Sequence, residues 1–282
     1  MAHPTQVATV KDRPIGVFDS GVGGLSVLLP LMELVPGGRF LYLADQAWCP
    51  YGPRPAADIR RRSFAITESL LHRGAHLIVV ACNSASSAAL SALRQRFPDT
   101  PFVGMEPAVK PAAQRTRTGH VGVLATATTA RGERLANLID RFGRDLHIHV
   151  HVPTGLVELI EAGAGESDQT AALLAPVFHR WRNAGVDTVV LGCTHYPFAR
   201  RTIELLLGPD VDVIDPAPAV ARQAARVLGE LPATQAPPAR SVSFLTTGDP
   251  EVLRAAVRRL AGDPLADDAS FETLDASHLR PA

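Results

Sequence analysis

LIVVACNSAS (77–86) ends a β-branched apolar run in a cysteine just where small polar residues begin, and TVVLGCTHYP (188–197) does the same. Aligned on Cys82 and Cys193, the two stretches lie 111 residues apart and set Asn83 against Thr194. A second pair recurs at nearly that spacing. RPIGVFDSG (13–21) reads like GHVGVLATA (119–127), with Gly16 on Gly122, Val17 on Val123, and Asp19 and Ser20 on Ala125 and Thr126, an offset of 106. Two strand ends repeating at one spacing mark an internal duplication.

Outward from these stretches, short β-branched runs alternate with Ala-, Leu- and Arg-rich stretches of helical period: IGVFD, FLYLAD, LIVVAC, FVGM, HVGVLA, HIHVHV, TVVLGC and VDVID. Strands separated by helices predict parallel sheets covered on both faces. The expected fold is therefore α/β, with two pseudo-symmetric lobes of mostly parallel sheet flanked by helices. The segment after residue 217, with SVSFLTTGD (241–249), resembles neither repeat and is expected to return to the first lobe. That gives a discontinuous first lobe, 1–107 with 217–282, and a second lobe, 108–216. Ligands of open parallel sheets bind outside the carboxyl ends of the strands, so the site is expected in the cleft between the lobes.

Composition narrows the field. The chain has 282 residues, 46% hydrophobic, with a formal net charge of +0, enough for one large or two modest domains. Its basic charge is almost all arginine, Lys11 and Lys110 being the only lysines, and no basic stretch interleaved with aromatics suggests a nucleic-acid partner. MAHPTQVATVKDRPIG (1–16) lacks the charged start and apolar stretch of a signal peptide, and no window approaches eighteen consecutive apolar residues. A cytoplasmic protein without membrane partners is expected. Three cysteines without a C-x-x-C pair support neither a disulfide framework nor a zinc site.

If the thiols matter, they matter as thiols. Cys82 and Cys193 are each expected at a strand-to-helix turn, where backbone N–H groups and the helix dipole favour an anion. Two such groups on opposite sides of one carbon suit proton removal from one face and return from the other, which inverts a stereocentre. Asp19, closing the first strand in DSGVGG, and His195, two residues after Cys193, have the chemistry to orient or deprotonate a thiol. Asn83, Ser84, Thr126, Thr129 and Thr194 offer neutral donors for a carboxylate and an amino group.

DSGVGGLSVL (19–28), ADQAWCPYG (44–52), ACNSAS (81–86) and LGCTHYP (191–197) together resemble the glutamate racemases of the cofactor-independent aspartate/glutamate racemase superfamily. The resemblance runs from about Ile15 to Glu251, and GCTHYP points to the glutamate branch. It implies interconversion of L- and D-glutamate by two-base chemistry without a cofactor or metal, supplying bacterial peptidoglycan synthesis and hence cell shape, in a homodimer. It also implies roles. Cys82 matches the thiol that deprotonates D-glutamate and Cys193 the one that deprotonates L-glutamate, assisted by Asp19 and His195 respectively. Asp19, Ser20, Tyr51, Gly52, Cys82, Asn83, Ser84, Thr129, Cys193, Thr194 and His195 match substrate contacts. Glu161, in LVELIEAG, resembles the family's glutamate beside the second thiol, with Glu158 as the alternative under a one-residue shift. The family usually has threonine at Ser84 and glycines at Ala125 and Thr128, and the side chain of Thr128 is expected to narrow the site.

Other features read as structural. Cys49 has no counterpart in the repeat and reads as packing or a tolerated surface thiol. DSGVGG carries Ser26 where a dinucleotide-binding motif needs its third glycine, so its glycines are expected to form a tight turn approaching the substrate. His147, His149 and His151 share one strand face, read as solvated rather than metal-binding. The arginines at 60–62, with Arg254, Arg258 and Arg259, read as exposed helix faces. Three other functions remain in view. A pyridoxal-phosphate racemase would need a well-placed lysine. A thiol hydrolase built on Cys193 and His195 leaves Cys82 unexplained. A two-lobed amino-acid-binding protein would close on its ligand without chemistry.

Overall fold

The computed structural model describes residues 13–231 and 241–274; Lys11 lies outside them. Ten strands occur among the described residues: β1 (Ile15–Asp19), β2 (Arg39–Ala44), β3 (Leu77–Val80), β4 (Phe102–Gly104), β5 (His120–Ala125), β6 (His147–His151), β7 (Thr188–Gly192), β8 (Asp212–Ile214), β9 (Ser241–Thr246) and β10 (Ser270–Thr273). They form two sheets, ordered β10-β9-β2-β1-β3-β4 and β6-β5-β7-β8, and every neighbouring pair is parallel. The second sheet repeats the order β2-β1-β3-β4 of the first. The first is extended at its β2 edge by two strands from the end of the chain.

Both faces of the central strands of each sheet are buried, as near-continuous apolar runs in parallel strands require. In β1, Ile15 and Val17 point to one core and Phe18 to the opposite one. The first of these cores is closed by the helix Leu25–Leu34 packed with the helix Ala217–Glu230, whose Ala217, Val220, Ala221 and Ala224 recur at the helical period. The other is covered by the helices Ala56–His72 and Asn83–Arg96. In the second sheet, Leu124, Val189 and Leu191 face one core, and Val121, Val123 and Val190 the other.

Three local readings change. The strand β10 was not anticipated: SFET is short and mostly polar, and it is held by pairing with β9 and by Phe271 stacking on Phe244 at 4.8 Å. Arg62 is not on an exposed helix face. It is buried and grips Asp45 through Nε at 2.7 Å and Nη2 at 2.6 Å, while Arg60 and Arg61 remain exposed. Arg254 is half-buried over the Phe271 ring. On the edge strand β6, His147 is exposed, but His149 Nε2 lies 3.2 Å from His120 Nδ1, and the His120 ring stacks with those of both His147 and His149. Burial, then the neighbouring His120 and His147, push the pKa of His149 below that of a free histidine. No helix among the described residues is long and apolar enough to cross a membrane.

Candidate active site

The end of β3 builds one side of the site. Cys82 is extended (φ −141°, ψ 122°) at the N-cap of the helix Asn83–Arg96, as the sequence led one to expect. Its sulfur makes no capping bond to the helix, with Ser20 Oγ 4.0 Å away, and the nearby backbone N–H groups of Ala85 and Ser20 favour the thiolate. Burial and the charge of Asp19 nevertheless push this thiol well above its ordinary range. At neutral pH Cys82 therefore rests protonated. Asp19, fully buried at the end of β1, accepts from the Gly21 N–H at 2.8 Å and from Thr194 Oγ1 at 3.0 Å across the cleft. Burial raises its pKa against the opposing pull of His195 and these hydrogen bonds.

The end of β7 departs from the expectation. After Cys193 the chain enters a 3₁₀ turn, Tyr196–Ala199, with Pro197 in its first positions, and an α-helix begins only at Arg200. Proline supplies no N–H, so Cys193 has no helix N-terminus like that beside Cys82. It has a histidine instead. His195 Nδ1 lies 3.8 Å from Cys193 Sγ, and Nε2 lies 2.7 Å from Glu161 Oε1. Burial would lower the pKa of His195, but hydrogen bonds to Cys193, Cys49 and Glu161 and the charge of Asp19 outweigh it and raise it well above a free histidine. Burial likewise opposes the charge of Glu161, yet the bonds from His195, the Val22 N–H and Cys49 hold it below its usual value. His195 and Glu161 thus form an ion pair, with the imidazole buried and the carboxylate half-buried. Glu158 is exposed, so the one-residue alternative falls to Glu161.

The glycines of DSGVGG have a nearer purpose than approach to a substrate. A Cβ on Gly23 would stand 2.3 Å from His195 Nδ1, and one on Gly21 would stand 1.9 Å from Glu161 Oε1. Neither has a positive φ. They are places where the ion pair from the second lobe lies against bare backbone of the first.

Both thiols line one small pocket between the sheets, with Ser20, Tyr51, Gly52, Asn83, Ser84, Thr126, Thr194 and His195. Its volume is about 10 Å³, room for about one water, so the cleft must widen to admit an amino acid. Asn83 is buried with both amide atoms unpartnered. Orphaned buried polar atoms are rare and costly, and these mark where a polar ligand would bond. Ser84 Oγ meets Thr126 Oγ1 at 2.9 Å across the cleft, and Thr126 donates in turn to Thr129 Oγ1. Asp19, Thr129 and Glu161 stand behind the lining. Tyr51 lines the pocket, but its hydroxyl is committed to Asp45 Oδ2 at 2.6 Å. Thr128 does not narrow the pocket. Its Oγ1 donates to the Gly52 carbonyl at 2.8 Å, on the wall of an outer cavity of about 530 Å³.

Sequence reasoning missed Cys49 and the Asp45–Arg62 pair. Cys49 is half-buried, with Sγ 3.6 Å from Glu161 Oε1. Asp45 collects Arg62, the Tyr51 hydroxyl and Thr247 Oγ1, the last at 2.7 Å, and so ties the 45–52 loop to the end of β9. The sequence signal was present only as position: Asp45, Cys49 and Tyr51 lie within ADQAWCPYG (44–52) and Thr247 within FLTTGDPE (244–251), while Arg62 lies ten residues beyond the first of these stretches.

Known proteins arrange their chains in the same way. A glutamate racemase from Bacillus anthracis, isoform RacE1, superposes with a TM-score of 0.80 at 29% identity, covering 94% of this chain and 98% of that one. The Escherichia coli glutamate racemase, solved with L-glutamate and the activator UDP-MurNAc-ala, gives 0.78 at 35% identity, over 93% and 97%. In sequence, the glutamate racemase of Roseiflexus sp. (strain RS-1) is 48% identical over 250 residues, 88% of this chain and 92% of that protein. The model of the Asp/Glu/Hydantoin racemase family matches residues 32–224, a span that holds both thiols and the ion pair beside the second. With that match over most of its length, and with the two-sheet fold behind it, the chain belongs to the Asp/Glu/Hydantoin racemase family.

Proposed function

We propose that the chain interconverts L- and D-glutamate by two-base proton transfer at the α-carbon, with Cys82 and Cys193 as the bases. One observation carries this reading: equivalent strand ends of two repeated sheets bring a cysteine each to one enclosed pocket, beside a buried amide with no partner. A binding protein has no use for two facing thiols, and a hydrolase has none for the second. The substrate is taken from the named activity of the relatives.

In the L-to-D direction the Cys193 thiolate removes the α-proton from one face and the Cys82 thiol donates its proton to the other, leaving Cys193 protonated and Cys82 as thiolate. The reverse reaction exchanges the two roles. The resting protonation of Cys82 suits it to be the acid of the first step. His195, held as a cation by Glu161, directs Nδ1 at Cys193 and balances negative charge on that sulfur. Asn83, Ser84, Thr126 and Thr194 are the neutral donors and acceptors for the carboxylates and ammonium of the substrate. Closing around it excludes water and strengthens these bonds as charge develops at the α-carbon. We place the reaction in the bacterial cytoplasm, in a homodimer, where D-glutamate enters peptidoglycan precursors.

Incubation with L-glutamate in heavy water, without added cofactor, tests the reading. Two separate bases predict that D-glutamate is deuterated at the α-carbon from its first appearance while the remaining L-glutamate stays protiated. Early deuterium in both enantiomers would mean one shared base. No change in optical activity would remove glutamate as the substrate.

A further inference from the structure

Cys49 is the third thiol of the chain and the one without a place in the repeat. Its sulfur, Glu161 Oε1 and a ring nitrogen of His195 all lie within 4.8 Å of one another. Glu161 Oε1 receives His195 Nε2 at 2.7 Å, the Val22 N–H at 2.8 Å and Cys49 Sγ at 3.6 Å. The thiol cannot easily drift away. Its loop is anchored by Asp45, which holds Arg62, Tyr51 and Thr247, and its sulfur lies so near the bare backbone of Gly21 that a Cβ there would stand 3.0 Å from Cys49 Sγ. Burial pushes this thiol up to about 11, so at neutral pH it keeps its proton and acts as a donor and not as a nucleophile.

We propose that Cys49 is a positioning residue, whose S–H holds the Glu161 carboxylate against His195 and so keeps that imidazole aligned on Cys193. The proposal rests on the racemase reading for its effect on turnover, but its structural claim concerns His195 alone. A carboxylate in a confined site is held by the donors it accepts. Removing one of three leaves it freer to turn from the imidazole. The groups that face His195 are Asp19 from the end of β1, Cys49 from its loop, Glu161 from the helix Leu156–Glu161, and Cys193 and Tyr196 from its own segment. Of these, Glu161 at 2.7 Å, Cys193 at 3.8 Å and the charge of Asp19 favour the imidazolium. Loss of Cys49 frees the Glu161 carboxylate to turn from the ring and so makes His195 easier to deprotonate.

The test is a pH titration of the His195 ring by NMR in wild type, Cys49→Ala and Cys49→Ser, beside the pH profile of kcat/KM for glutamate. In Cys49→Ala the imidazole is expected to titrate about half a unit or more lower. The alkaline limb of kcat/KM should move with it, and kcat/KM at neutral pH should fall by about tenfold. Cys49→Ser keeps a donor and should return both titrations toward wild type. If Cys49→Ala fails to fold, Cys49→Val fills the same space without a donor and takes its place. An unchanged imidazole titration in the donorless variant overturns the proposal even if activity drops, because packing alone would then explain the loss. A lowered titration that serine fails to restore overturns it as well. Should the wild type not racemise glutamate, the racemase reading fails, while the imidazole titration still decides whether Cys49 governs His195.

Discussion

The ends of β3 and β7 occupy the same place in two copies of one four-stranded arrangement, yet the thiols that follow them keep different company. Cys82 stands at the N-cap of a fourteen-residue helix, near backbone N–H groups that favour its thiolate, with Ser20 nearby and the Asp19 charge working against its ionisation. Cys193 runs into a proline-bearing 3₁₀ turn and faces His195, which is backed by Glu161 and Cys49. Duplication placed the sulfurs, and the two or three residues after each cysteine decided how negative charge on it would be met. On one side the answer is helix geometry. On the other it is an ion pair built by residues from three parts of the chain.

The comparison breaks first at the thiols themselves. Cys82→Ala and Cys193→Ala are each expected to lower racemisation by about 10³-fold or more, the scale of losing an acid or base outright. Because the enantiomers have equal free energy in water, kcat/KM must be the same in both directions for every variant. Differences between the two sides can therefore appear only in how kcat and KM divide. Progress curves from pure L- and pure D-glutamate check this. If either variant kept near wild-type turnover, the two-thiol account would be lost.

On the Cys82 side, Asn83→Leu should separate function from stability. Both amide atoms of Asn83 are buried without partners, each carrying a desolvation cost of about 1–3 kcal/mol. Leucine of similar size relieves that cost, so the melting temperature of the free protein should rise by a few degrees. The KM for glutamate should rise by about tenfold or more, since the lost bonds are ones a substrate would make. A destabilised variant with unchanged KM would show that Asn83 is structural.

On the Cys193 side, Glu161→Gln removes the charge of the ion pair and should cost about tenfold in kcat/KM. Its effect on stability depends on pH with a definite sign. His195 has a pKa raised above 6.5, so it contributes fully below about 6.5 and loses its contribution as pH rises through the raised value. Glu161 has a pKa lowered from 4.5, so it contributes above 4.5 and loses its contribution as pH falls through the lowered value. The difference in melting temperature between wild type and Glu161→Gln should be widest between pH 4.5 and 6.5 and shrink on either side. A difference independent of pH would mean that the pair is not ionic.

How much of this could be read from the sequence follows the same division. Short β-branched runs located eight strands, and the offsets of 106 and 111 residues predicted two lobes with matched cysteines, because both signals are local or repeat in register. The strand β10 escaped because SFET has no apolar run, and its pairing partner decides its state. Arg62 read as surface because a buried arginine differs from an exposed one only by a carboxylate, Asp45, that lies seventeen residues away. Cys49 escaped for the same reason: its partners, Glu161 and His195, are 112 and 146 residues distant in sequence, and only the closing of one lobe on the other brings them together. Where the family resemblance supplied residues, it named positions and left the bonds between them to the structure.

The smallest expected effect concerns the contact between the two sides. Thr128 reaches from the second lobe to the Gly52 carbonyl of the first, with its hydroxyl at 2.8 Å and its backbone N–H at 3.1 Å. Gly52 follows closely on Cys49 and Tyr51, so this latch joins the loop that supports His195 to the lobe that carries Cys193. Thr128→Ala deletes one of the two bonds, about 1 kcal/mol or roughly fivefold in the equilibrium that closes the cleft. A bond present in both the bound ground state and the transition state contributes uniformly, so KM should rise by about that factor with kcat unchanged. Thr128→Ser, which keeps the hydroxyl, should behave as wild type. If kcat falls instead, the latch aligns the Cys193 side during proton transfer, and the two halves of the site are coupled through the Cys49 loop and do not merely face one another.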